Sequence, residues 1–174
     1  LLSVVESYPD KGMGFVQSDG RINFLSYRDL LSQAKELLGG LQSVGLVPKD
    51  KVMSVMTRNE EIVPVLWACL LGGIIPTILQ PPLSFTEFNQ PAKKIENVYH
   101  ILQNPKIILS ADLISSFKSE VISSHDLIDT ENLKNRSRDP FRVVLQETDI
   151  AFIQFSSGST GDPKGIILTH TNIL

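Results

Sequence analysis

One cysteine, Cys69, among 174 residues excludes an internal disulfide framework and a multi-cysteine zinc site. The three histidines, His100, His125 and His170, stand far apart, so no metal-ligand spacing is visible and no metal site is expected. A basic excess is also missing. Sixteen Lys and Arg against nineteen Asp and Glu leave a net charge of −3, which argues against a nucleic-acid partner. Residues 1–10 show no basic segment followed by a long apolar one, so a secretory signal is not expected, and the sequence begins without methionine. A reducing, cytoplasmic setting is the default. Residues 62–79 carry no charge over eighteen positions, just long enough for a membrane span. Pro64, Gly72-Gly73 and Pro76 interrupt that run. A helix over 62–71 followed by a buried strand over 74–79 explains the same residues in a protein without a membrane span.

What is present is a hydrophobic fraction of 42% with few low-complexity runs, the composition of a globular chain with a sizeable core. Residues 14–17 and 22–25, flanking Ser18-Asp19-Gly20, read as a hairpin. Ser26 then precedes Tyr27, Leu30, Leu31, Ala34, Leu37, Leu38, Leu41 and Val44, all on one helical face. Ser26 with Asp29 resembles a capping box, and Gly45 supplies a stop. A strand over 52–56 follows. Asn59 is the expected cap of the next helix, and Pro64 within that helix predicts a kink or a delayed start. After the strand over 74–79, Pro91 suits a first helical position, with Ile95, Val98, Tyr99 and Leu102 as the apolar stripe. Asn104-Pro105 ends this helix before a strand over 106–109. Strands alternating with amphipathic helices predict an α/β fold with a parallel-rich sheet flanked by helices. From 110 to 139 the pattern weakens, and residues 131–139 are polar enough to be read as an exposed loop.

The chemistry concentrates between two apolar runs, residues 150–155 and 166–168. The intervening segment is Ser156-Ser157-Gly158-Ser159-Thr160-Gly161-Asp162-Pro163-Lys164-Gly165. Glycines admit a close backbone approach, and successive amides in such a turn form an anion-binding nest. Four hydroxyls add donors, and Lys164 adds a positive charge. The combination suits a polyphosphate. It is not a Walker A loop: Pro163 precedes Lys164, and a β-prone run follows where that motif opens a helix. A surface hairpin rich in turn formers is the competing interpretation.

Residues 156–165 resemble the phosphate-binding signature of the adenylate-forming superfamily, Ser/Thr-Ser-Gly-Ser/Thr-Thr-Gly-x-Pro-Lys-Gly, at every fixed position. That superfamily includes acyl-CoA synthetases, fatty acyl-AMP ligases, luciferases and adenylation domains of nonribosomal peptide synthetases. Leu25-Ser-Tyr-Arg-Asp-Leu30 resembles the family's first helix entry, and residues 67–82 its second signature. Residues 82–105 look closest to loading adenylation domains of hybrid polyketide/peptide synthetases. The resemblance implies that residues 1–174 are the N-terminal part of the large domain of such an enzyme. It implies ATP with Mg²⁺ as cofactors and a carboxylic acid as substrate. The thiol acceptor would be a carrier-protein phosphopantetheine arm or CoA, and the remainder of its own polypeptide is a further partner. By the same resemblance Ser156, Ser157, Gly158, Ser159, Thr160, Gly161, Lys164 and Gly165 would hold the triphosphate. Thr160 and Lys164 carry the expected catalytic roles, Thr160 on a phosphate or the metal and Lys164 on the loop or the leaving pyrophosphate. A solvated turn lysine is the plainer reading of Lys164.

The adenine, ribose and acyl contacts, the hinge and the catalytic lysine of the small domain would all lie beyond Leu174, so the 174 residues alone are expected not to complete adenylation. A non-catalytic phosphate-binding module and a scaffold are the rival readings. Cys69 reads as a buried small hydrophobe, His170 as a residue of a strand–helix junction, and Glu60-Glu61 as dipole-complementing helix starters.

Overall fold

The computed structural model describes residues 2–82, 90–141, 143–157 and 163–173. A short helix α1 (Leu2–Ser7) leads into the expected hairpin, β1 (Gly12–Val16) antiparallel to β2 (Ile22–Ser26). Helix α2 (Tyr27–Ser43) follows at once. Ser26 caps it: the Ser26 hydroxyl accepts from the Asp29 N–H at 3.1 Å and donates to the Asp29 carboxylate at 2.7 Å.

Four parallel strands form the central sheet in the order β4-β3-β5-β6. They are β3 (Lys51–Val55), β4 (Ile75–Leu79), β5 (Lys106–Leu109) and β6 (Leu127–Asp129). Pro76 is tolerated because β4 is an edge strand, where a missing N–H need not break a ladder. The connecting helices are α3 (Asn59–Gly72), α4 (Gln90–Ile101), α5 (Ala111–Ile114) and α6 (Thr130–Asn135). No helix among the described residues is long and apolar enough to cross a membrane. The charge-free run is indeed helix α3 followed by strand β4.

Two apolar layers cover the sheet. On one face Ala34, Leu37, Leu38 and Leu41 of α2 meet Val65, Ala68 and Cys69 of α3 and Leu133 of α6. On the other, Ile95, Val98 and Tyr99 of α4 lie with Met53, Val55, Ile107 and Leu109. A final antiparallel pair, β7 (Ile150–Ser157) and β8 (Pro163–Thr169), brings Ile153 and Phe155 into this second layer beside Leu79 of β4. A four-residue helix α7 (His170–Ile173) ends the description.

Three expectations are corrected. Asn59 is not the cap of α3; it is already helical, and Arg58 occupies the cap position with no side-chain hydrogen bond. The helix does not start late: Pro64 lies inside it, where it lacks a backbone donor. Helix α4 includes Gln90, so Pro91 sits second among its described residues, still inside the first turn.

The largest correction concerns residues 131–139, which are not simply an exposed loop. Helix α6 runs through their first part and buries Leu133 completely. It docks because α2 presents Gly39-Gly40: a Cβ at Gly40 would stand 2.2 Å from the Leu133 carbonyl oxygen. Backbone-to-backbone packing of this kind leaves little apolar periodicity in the docking segment itself.

Candidate functional site

The β7–β8 hairpin separates its residues by face. Ser156 pairs with Lys164, Phe155 with Gly165 and Ser157 with Pro163. Because successive strand residues point to opposite sides, Ser156 and Lys164 share one face and Phe155 and Gly165 the other. Burial follows this alternation: Ala151, Ile153 and Phe155 are buried, whereas Gln154 and Ser156 are exposed. Lys164 is exposed as well. Among the described residues neither the Ser156 hydroxyl nor the Lys164 ammonium has a protein partner. One hydroxyl and one cation thus stand on one exposed face, one pair before the ladder ends.

The other expected site residues, Gly158, Ser159, Thr160 and Gly161, lie outside the described residues. Their flanks are nonetheless fixed, since the ladder closes at the Ser157–Pro163 pair and leaves five residues between. Gly165 is placed differently from the rest of the motif. It faces the Phe155 ring, and a Cβ there would come 3.2 Å from the ring's Cζ and from Ile153 Cγ2.

His170 lies at the strand–helix junction, where its N–H donates to the Asp149 carbonyl at 3.1 Å. The Asn172 side chain folds back to accept from the Thr169 N–H at 3.0 Å. Cys69 is fully buried, and that burial pushes its thiol up to about 12. It is no nucleophile in this state.

A second polar feature was not legible in the sequence. Strand β3 sends α3 to one face of the sheet, whereas the segment after β5 packs Leu113 and Ile114 on the other. The adjacent carboxyl ends of these strands form a topological switch point, the usual place for a crevice in an open α/β sheet. A crevice of about 150 Å³ lies there, with Arg58, Glu61, Ala111, Thr130 and Lys134 on its walls. Two of its carboxylates, Glu60 and Glu61, are occupied. Glu61 accepts from Arg58 and from Ser110, while Glu60 accepts from Gln17. Hydrogen bonds from its own backbone N–H and from Gln17 hold the Glu60 carboxyl below the usual range. The two glutamates are therefore not a paired acid–base dyad. Among the described residues no three His, Cys, Asp or Glu gather as a metal site.

An α/β domain carrying an exposed Ser–Lys pair beside a Gly- and hydroxyl-rich segment defines the class. Comparison supplies the family. The AMP-binding enzyme family matches residues 3–174, and the chain belongs to it. It is 31% identical to atromentin synthetase nps3 of Serpula lacrymans, over all of this chain and 19% of that protein. Among solved structures it resembles McyG A-PCP complexed with phenylalanyl-adenylate, with a TM-score of 0.90 and 36% identity over 99% of this chain and 28% of that one. The fatty acid AMP ligase of Legionella pneumophila matches with a TM-score of 0.85 and 25% identity, over 99% of this chain and 30% of that one. The chain thus spans from about a fifth to three-tenths of these three proteins. The expected α/β class and superfamily are both established by these matches.

Proposed function

We propose that the polypeptide carrying this chain activates a carboxylic acid as an acyl-adenylate and passes the acyl group to a thiol. In the first step a carboxylate oxygen forms a bond to the α-phosphorus of ATP, and the bond to the pyrophosphate oxygen breaks. In the second, a thiol sulfur attacks the acyl carbon, AMP departs, and the thiol proton is released. We take the acceptor to be a carrier-protein phosphopantetheine arm, following the likeness to an A-PCP structure. CoA is the alternative acceptor.

One observation carries the reading: the Ser156 hydroxyl and Lys164 ammonium share an exposed face, unpartnered by described residues, beside a glycine- and hydroxyl-rich segment. Triphosphate chemistry asks little covalent work of the protein and much positioning and charge neutralisation. Ser156 and Lys164 fit that demand as one donor and one positive charge. Ser157, Gly158, Ser159, Thr160 and Gly161 complete the phosphate cradle in this proposal, with Thr160 offering a hydroxyl to a phosphate or to Mg²⁺. Magnesium bound with ATP would neutralise charge on the departing pyrophosphate. Gly165 is assigned a packing role instead of ligand contact.

Residues 1–174 are read as the incomplete N-terminal portion of the large domain, with the remainder of the polypeptide as its structural partner. The half-exposed Ile166 and the exposed Ile167 on β8 suit such a neighbour. The cytoplasm, where ATP and Mg²⁺ are supplied, is the compartment this reading implies.

The test is ATP–pyrophosphate exchange by the full polypeptide, which Lys164→Ala should reduce at least about tenfold if the lysine stabilises charge in the transition state. Unchanged exchange in that variant would overturn its role. Exchange by the isolated 174 residues above a Lys164→Ala control would refute the view that they need the rest of the enzyme.

A further inference from the structure

We infer that Phe155 is a positioning residue: its ring, seated on Gly165, latches β8 to the core and thereby fixes which face of the hairpin presents Ser156 and Lys164. The inference rests on the triphosphate reading above and adds to it how the binding face is set.

The two residues are direct cross-strand partners. The ring occupies the space a side chain at 165 would need, since a Cβ would lie 3.2 Å and 3.3 Å from its Cζ and Cε1. Phe155 in turn is buried, in one apolar cluster with Val55, Leu79 and Leu109. Strand β8 has little hold on the core through its own side chains. Ile166 and Ile167 are 50% and 58% exposed, and Lys164 is exposed too. Near the loop, β8 is therefore held from the core side chiefly by the aromatic ring reaching across to a residue with no side chain.

This contact also specifies register. Strand side chains alternate with a period of two, so a slip of one residue would exchange the faces of the whole strand. Lys164 would then turn to the face of Phe155, away from Ser156, and the hydroxyl and the cation would be separated. Only the observed register places glycine beneath the ring and the lysine beside Ser156.

The experiment is a double-mutant cycle in the full polypeptide, read by ATP–pyrophosphate exchange. Gly165→Ala forces the ring or Ile153 to give way, and KM for ATP and for pyrophosphate should rise about tenfold, the scale expected of a slight misplacement of binding groups. KM for the carboxylic acid should stay within about twofold, because the positioning effect is confined to the phosphate end. Phe155→Leu combined with Gly165→Ala should cost less than the sum of the two single changes, since both disturb one contact.

Strict additivity of the pair, or an unchanged KM for ATP in Gly165→Ala, would overturn the latch. So would equal rises in KM for ATP and for the acid, which would mark a general loss of structure. Ser156→Ala and Lys164→Ala separate the two levels. If both leave exchange untouched, the triphosphate reading itself fails; if they impair it while Gly165→Ala does not, only the latch fails. Hydrogen exchange on the 174-residue chain gives a reading independent of catalysis. Gly165→Ala should speed exchange of the β7 and β8 amides alone, and acceleration across the four-stranded sheet would contradict a role confined to the hairpin.

Discussion

Replacing Gly40 by alanine tests a close backbone contact between α2 and α6. In an exposed helix the change would stabilise by about 1 kcal/mol, because glycine is a poor helix former. Here the new methyl would lie 2.2 Å from the Leu133 carbonyl oxygen, 2.7 Å from its carbonyl carbon and 3.0 Å from its Cα. All three are backbone atoms, which cannot swing aside as the end of a side chain can. Overpacking of this kind costs about 1–3 kcal/mol. If α6 retreats instead, the fully buried Leu133 becomes exposed, a loss of about 1.5–3 kcal/mol. After subtracting the propensity gain, either route leaves a net destabilisation of up to about 2 kcal/mol. For a urea slope near 2 kcal/mol per molar, the unfolding midpoint should fall by up to about 1 M. Leu133→Ala should be costly alone and less than additive with Gly40→Ala, since both disturb one contact. A Gly40→Ala midpoint equal to or above the parent's would refute the close approach of α2 and α6.

Two further outcomes follow from buried and bonded groups. The Cys69 thiol, its ionisation suppressed by burial, should resist an aromatic disulfide reagent in the folded chain and react promptly once urea unfolds it; fast reaction under native conditions would contradict its place in the core. For Asp126, burial acts to raise the carboxyl pKa but is outweighed by hydrogen bonds from Tyr99 at 2.7 Å and Lys106 at 3.0 Å, so the value lies below its ordinary 3.8. Its stabilising contribution is complete above that ordinary value and lost as pH falls through the lower folded one. Asp126→Asn should therefore flatten the acid side of the stability–pH curve, and a curve of unchanged shape would show the carboxylate to be uncoupled from folding.

Much of this architecture was legible because its signals are local. The Ser26 cap, the Leu30–Leu41 stripe of α2 and the apolar runs of β3, β4 and β5 each depend on neighbours a few residues away. The hairpin around residues 156–165 was legible for the same reason, and its ten-residue signature pointed to a family that the comparisons establish. What escaped depends on distant partners. Helix α6 reads as loop because its hold on the core is one leucine and a pair of glycines more than ninety residues earlier. The crevice at the switch point requires the order β4-β3-β5-β6, which no local pattern encodes. The opposite facing of Lys164 and Gly165 needs the strand register, so the motif reads in sequence as one unit although its described residues divide between the two faces of the hairpin.

The central claim is that the Ser156–Lys164 face receives a nucleotide's phosphates. Titrating isotope-labelled 174-residue chain with Mg·ATP while following backbone amide resonances tests it most directly. The account expects the shifts to concentrate on Ser156, Ser157 and the segment through Gly165, and to weaken in Lys164→Ala. Shifts centred elsewhere, for instance on Arg58 and Lys134 at the sheet's switch point, with residues 156–165 unmoved, would contradict it.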